Sequence, residues 1–191
     1  VWTVTIIGDV PKGTAIMRSG AQVGDIVGIT NYVGYAATGL GALSYNLDGY
    51  HMTKVGHQRP DPQIELGQQL RQLGIHSMND ISDGLGSELN EIASASNVSI
   101  VIEEKAIPLH EETYELAKYL QTNPVDYALY GGEDFQLVFT APKSLLSKLE
   151  NLAGITIIGE VVSGPAQVQM VTPDKTIKTI EAKGYNHFHE S

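Results

Sequence analysis

The sequence predicts an α/β fold of the α+β-like kind, a mixed β-sheet flanked by helices. Three observations carry this. Strand-like and helix-like patterns alternate along the chain, strands follow one another directly near its end, and 191 residues with 42% hydrophobic content suffice for one sizeable core. The β–β runs favour a mixed sheet over a doubly wound parallel one.

The elements follow in order. Trp2-Thr3-Val4-Thr5-Ile6-Ile7-Gly8 reads as a strand, dense in β-branched and aromatic residues. It has no evident sheet partner and the chain opens on Val1, so the sequence reads as a fragment beginning inside a larger protein. Pro11-Lys12-Gly13 and Arg18-Ser19-Gly20 mark a turn-rich connection to a strand at Asp25–Thr30. Tyr35 to Leu47, rich in Ala and Gly, reads as a closely packed helix, and Gly49 to Asp61 as polar and irregular. Leu66, Leu70 and Leu73 mark one face of a helix.

Ser77 to Ile81 is a short strand. Leu85, Leu89 and Ile92 give the next helix its buried stripe, with Glu88 and Glu91 expected to point elsewhere. Val98–Ile102 reads as a strand, Glu111–Leu120 as a helix and Phe135–Thr140 as a strand. Pro142 suits the first turn of a helix with Leu145, Leu146, Leu149 and Leu152 on its apolar face. Strands at 156–161, 167–170 and 176–180 close the chain.

Composition removes several function classes. A net charge of −10 argues against binding a nucleic-acid backbone, which needs a basic surface. It is compatible with a nucleotide, because Mg²⁺ bridges acidic side chains and phosphates. No apolar run reaches about 18 residues, so no membrane span is indicated. Zero cysteines exclude disulfides and thiolate metal sites and are compatible with a cytoplasmic enzyme.

Asp80-Ile81-Ser82-Asp83-Gly84-Leu85 is the most informative stretch. It places two carboxylates and a hydroxyl where a strand runs into an amphipathic helix. A helix N-terminus favours anions, and hard carboxylate oxygens suit Mg²⁺. The competing reading is a plain helix cap, since Ser and Asp are common N-caps. Tyr130-Gly131-Gly132-Glu133-Asp134-Phe135 pairs a tight backbone with two acids, and it reads either as a ligand contact or as a turn into a strand. Arg18 could reach an anion or stay a solvated charge. His187 and His189 lack an obvious third ligand and are declined as a metal pair. His51, His57, His76 and His110 are scattered, and nothing selects one as a base.

Six segments occur in order: Gly8-Asp9-Val10-Pro11-Lys12-Gly13; Arg18-Ser19-Gly20-Ala21 with Gly24-Asp25; Arg59-Pro60-Asp61-Pro62; Asp80 to Leu85; Gly131-Gly132-Glu133-Asp134-Phe135; and Lys183-Gly184-Tyr185-Asn186-His187-Phe188. Together they strongly resemble the carboxy-terminal part of bacterial thiamine-monophosphate kinase, of the aminoimidazole-ribonucleotide-synthetase-like superfamily. The resemblance implies that superfamily's carboxy-terminal domain fold, with residues 11–191 as the carboxy-terminal α/β domain and residues 1–10 as the last strand of a missing amino-terminal domain plus its connection. It also implies phosphorylation of thiamine monophosphate by ATP with Mg²⁺, and a homodimer made through the missing amino-terminal domain. By motif match, Asp80 and Asp83 would ligate Mg²⁺, Arg18 and Ser82 would contact ATP, and Glu133 and Tyr185 would contact the substrate. Gln63, Gln136 and Asn186 depart from the family's common Arg, Glu and Asp. The rival readings are another ATP-dependent enzyme of the same superfamily and an inert ligand-binding or interaction domain.

Overall fold

The computed structural model describes residues 3–182. Seven strands form one sheet: β1 (Asp25–Thr30), β2 (Ser77–Asp80), β3 (Ser99–Glu103), β4 (Leu137–Pro142), β5 (Ile155–Val162), β6 (Gln167–Val171) and β7 (Ile177–Ile180). Their order is β2-β4-β1-β5-β3-β6-β7. All pairings are antiparallel except β3 with β6. This is the mixed sheet that the β–β runs predict.

The helices are α1 (Tyr35–Ser44), α2 (His51–Gln58), α3 (Ile64–Leu73), α4 (Leu85–Ser96), α5 (Glu111–Leu120), α6 (Pro124–Tyr130) and α7 (Leu146–Glu150). Side chains alternate across a strand, so the buried strands feed two separate cores. Val27, Ile29 and Val138 face a core with Leu85, Leu89 and Ile92 of α4 and Val125 and Leu129 of α6. Ile26, Phe139 and Ala141 face the other, with Leu70 of α3 and Leu149 of α7. All six residues of β1 are buried, because helices cover both faces of the sheet there.

Several expectations change. Residues 3–10 form no strand: Val4, Ile6 and Ile7 are 83–92% exposed and pair with no strand among the described residues. Residues 49–61 are not irregular throughout, since they contain α2. Pro142 ends β4 and precedes a 3₁₀ turn, Lys143–Leu145, rather than opening the helix itself. The helix α6 adds an element the periodicity did not reveal.

Both α1 and α2 begin without a capping side chain on their own N-cap residues, Gly34 and Tyr50. Acids from far along the chain replace them. Glu112 accepts from the backbone N–H of Thr53 at 2.8 Å and from its hydroxyl at 2.7 Å. Asp134 takes the corresponding place at α1. No helix among the described residues is long and apolar enough to cross a membrane.

Candidate functional site

The Asp80–Gly84 turn is held by an extension of the β2–β4 ladder. The regular pairing ends at Asp80 opposite Leu137. Beyond it, the Ile81 N–H donates to the Gln136 carbonyl at 2.7 Å, the Phe135 N–H to the Ile81 carbonyl at 2.9 Å and the Glu133 N–H to the Ser82 carbonyl at 2.8 Å. The approach is so close at Gly132 that a Cβ would sit 2.5 Å from the Ser82 carbonyl oxygen. The two sequence motifs are therefore one structural unit, two strand extensions clamped side by side.

This ladder leaves Asp80, Asp83 and Glu133 exposed at one end of the sheet, with Ser82 half-buried between them. α4 starts at Gly84, which adopts φ 96° and has no capping side chain. Ser82 and Asp83 are thus not the N-cap of α4, and the plain-cap reading is corrected.

Glu88, expected to point away from the core, is instead 3% exposed and reaches back under the turn. One of its oxygens accepts from the Asp83 N–H at 3.2 Å and from the Ser82 hydroxyl at 3.4 Å. The other accepts from the Asn79 side-chain amide. That amide also donates to Glu91 at 3.1 Å, and its oxygen accepts from Arg18 Nε at 3.2 Å. Arg18 and Glu91 form an ion pair at 2.9 Å. Burial, above all, pushes the Glu88 carboxyl up to about 7. The Asp83 N–H opposes this, and the nearby charges of Glu91, Asp80 and Asp83 add to it.

Asp134 turns inward. It is 4% exposed and accepts from the N–H groups of Gly34 and, at 2.8 Å, Ala36 at the start of α1. Burial lifts its carboxyl to about 6, against the N–H groups of Ala36, Gly34 and Tyr35.

Asp134 and Gln136 also line a cavity of about 380 Å³. Its walls are Tyr32, Tyr35, Met52 and Val55, and Arg59, Pro60 and Asp61 of the Pro-flanked motif stand at its rim. The two tyrosine rings lie nearly parallel, 13° apart with centroids 6.1 Å apart, and His110 packs edge-on against both at 5.3 Å. Gln63 and Gln136, two positions where the resemblance breaks, meet here: Asn31 donates to Gln63 at 3.0 Å and to Gln136 at 3.1 Å. Apolar walls with a few fixed polar groups are the usual lining of a small-molecule site.

Of the residues singled out from sequence, Asp80, Ser82, Asp83, Glu133 and Arg18 come together. Tyr185, Asn186, His187 and His189 lie outside the described residues. His76 pairs with Asp25 at 2.9 Å, and His110 accepts from the Glu112 N–H at 3.3 Å, so both have structural partners. Asn79, Glu88 and the aromatic cavity were missed. Among the described residues, no group of three or more His, Asp or Glu side chains could hold a metal by itself.

Residues 22–171 match the family AIR synthase related protein, C-terminal domain. The chain is 37% identical over 199 residues to thiamine-monophosphate kinase of Bacillus subtilis (strain 168), a match covering 98% of this chain and 60% of that protein. The solved structure of AaThiL complexed with AMPPCP and TMP is similar at 33% identity and a TM-score of 0.78, covering 91% of this chain and 54% of that one. The hydrogenase maturation protein HypE of E. coli, at 19% identity and a TM-score of 0.76, shares the fold. The chain spans about 60% of the length of the curated relatives it matches.

Proposed function

The chain belongs to the AIR synthase related protein C-terminal-domain family, and we propose that it works as part of a thiamine-monophosphate kinase. The enzyme would transfer the γ-phosphoryl group of ATP to thiamine monophosphate, giving thiamine diphosphate. One observation carries this reading: Arg18, the Ser82–Asp83 pair and Glu133, from three separate stretches of the sequence, converge at one end of the sheet. A relative solved with an ATP analogue and TMP supports the substrate pair.

The substrate phosphate has a second pKa of about 6, so its attacking oxygen is largely ionised at neutral pH and needs no dedicated base. The difficulty is bringing one anion to another, and phosphoryl transfer relies on positioning and charge stabilisation. Arg18 offers a guanidinium to the nucleotide phosphates, and Ser82 a hydroxyl beside the open start of α4. Asp80 and Asp83 suit Mg²⁺, which commonly takes one or two carboxylates and completes its shell with phosphates and water. When bound, the ion would neutralise the phosphate oxygens in flight. Glu133 contacts the thiamine phosphate, and Tyr185 remains a proposed contact to the thiamine rings. The aromatic cavity is adjacent and large enough for those rings.

Direct in-line transfer follows, with no covalent phosphoenzyme. ATP made chiral at the γ-phosphorus should give inverted product, and net retention would overturn a single displacement. Assay of the intact polypeptide that carries this chain against thiamine monophosphate and a panel of other phosphorylated or carboxylated acceptors tests the substrate. Preference for another acceptor would favour a different enzyme of the superfamily.

The remaining metal ligands and the homodimer contact belong, in this reading, to an amino-terminal domain that residues 1–10 would join, in a cytoplasmic protein. Residues 1–191 alone should therefore be inactive, because the ligands that this domain would supply are then missing. ATP turnover by the isolated chain would overturn that.

A further inference from the structure

We infer that Glu88 is a positioning residue that sets the Asp80–Asp83 turn and the Arg18 guanidinium in one fixed relation. The inference rests on the proposed reading of this site as one that takes Mg²⁺ and ATP.

The argument is geometric. Arg18 and Asp83 are 65 residues apart and come from different elements, yet a continuous chain of hydrogen bonds joins them. It runs from Arg18 Nε to the Asn79 oxygen, from the Asn79 amide to Glu88, and from Glu88 to the Asp83 N–H and Ser82 hydroxyl. Every bond to Glu88 in this chain is made by a donor, so a carboxylate, which accepts on both oxygens, matches the pattern. Glu88 is buried on α4, a rigid element, whereas the Arg18 side chain is 57% exposed. Asn79 and Glu91 orient two of the guanidinium nitrogens, and the group has five donors in a fixed fork. A flexible arginine is thus aimed from a buried anchor. Burying a carboxylate is costly unless its oxygens are satisfied. Among the described residues, the bonds to its oxygens come from Asn79, Ser82 and Asp83, all residues of the site.

The chain of bonds also prescribes its own repair. In E88Q, keeping an oxygen toward Asp83 and Ser82 turns an NH₂ against the NH₂ of Asn79, and the link breaks. In N79D/E88Q, the new carboxylate at position 79 accepts from the new amide at position 88 on one side and from Arg18 on the other, but it also meets the Glu91 carboxylate to which the Asn79 amide had donated, so the repair is made in an E91A background. The link is then rebuilt.

The test uses the intact polypeptide that carries this chain, with steady-state kinetics in both substrates. E88Q should raise KM for Mg·ATP about ten-fold and lower kcat about ten-fold, the range typical when a group supporting the ligating residues is lost. KM for thiamine monophosphate should stay within about two-fold. In the E91A background, adding N79D should recover most of the loss that E88Q causes. The inference is overturned if E88Q matches the parent, if its defect falls equally on both substrates, or if N79D gives no recovery from E88Q in the E91A background. Should E88Q fail to fold, N79A breaks the same link one residue away and should show the same ATP-selective defect. If the parent does not phosphorylate thiamine monophosphate, the functional reading fails by itself. Titration of the variants with Mg·ATP then decides the Glu88 role, with about ten-fold weaker binding expected for E88Q and unchanged binding overturning it.

Discussion

Two runs of acids and glycines, Asp80–Gly84 and Gly131–Asp134, resemble each other in sequence, yet Asp80 and Asp83 of the first stand opposite in use to Asp134 of the second, whose other acid, Glu133, stays exposed beside them. In the first, Asp80 and Asp83 stay in water and the helix behind them starts without a capping side chain. In the second, Asp134 is buried and caps a helix 100 residues earlier in the chain. Both runs have the composition of a cap, yet only Asp134 is one. An acid whose oxygens take backbone N–H groups supports the fold. Acids left exposed at a strand end, on a turn clamped from beneath, are available to a ligand.

The comparison breaks most plainly through activity. D80N and D83N should each lower kcat of the intact enzyme by roughly 100-fold or more, through loss of a metal ligand. Their stability should stay within about 0.5 kcal/mol, as for other exposed substitutions. Near-normal turnover at limiting Mg²⁺ would place Asp80 and Asp83 with Asp134, as scaffold.

D134A tests the other side. It strands the N–H groups at the start of α1 and should lower unfolding stability by about 1–3 kcal/mol, read from urea unfolding. No change would mean that α1 is capped by water as well as by Asp134.

The buried acids also give pH a sign. Asp134 and Glu88 are raised from 3.8 to about 6 and from 4.5 to about 7, so the folded state holds their protons more tightly than the unfolded chain does. Their contribution is fully present below 3.8 and 4.5 respectively, and it is lost as pH rises through about 6 and about 7. Each ten-fold gain in proton affinity on folding corresponds to about 1.4 kcal/mol, reduced by whatever relaxation hydrates the groups. E88Q should flatten the upper part of this decline, between pH 4.5 and about 7. A stability profile unchanged by E88Q would show that Glu88 is better hydrated than its burial indicates.

The sheet and most helices were legible because their signals are periodic. Helix α5 falls where its apolar spacing puts it, from Glu111 to Leu120. Helix α2 was hidden because Met52 and Val55 face outward, leaving no stripe, and because Gly56 weakens the pattern. Helix α6 is seven residues long, too short for a period, although Asn123 followed by Pro124 was a start signal in plain view. Glu88 carried a readable sign as well. It lies three residues after Leu85 and four before Ile92, on the stripe that is otherwise apolar, and an acid at such a position implies a buried partner. The aromatic cavity had no such signal, since Tyr35 and His110 lie 75 residues apart and only the fold brings them together.

The strand order has a kinetic consequence. Of the six pairings, only β6 with β7 joins strands that are consecutive in the chain. The interior strand β1 waits for both its neighbours: Thr30 meets Gln136 across 106 residues, and closing a loop of that length costs entropy before any contact offsets it. A refolding chain should therefore close the β6–β7 hairpin early and complete β1 late. Until then the buried face of β1, with its run of apolar residues, stands open to other chains.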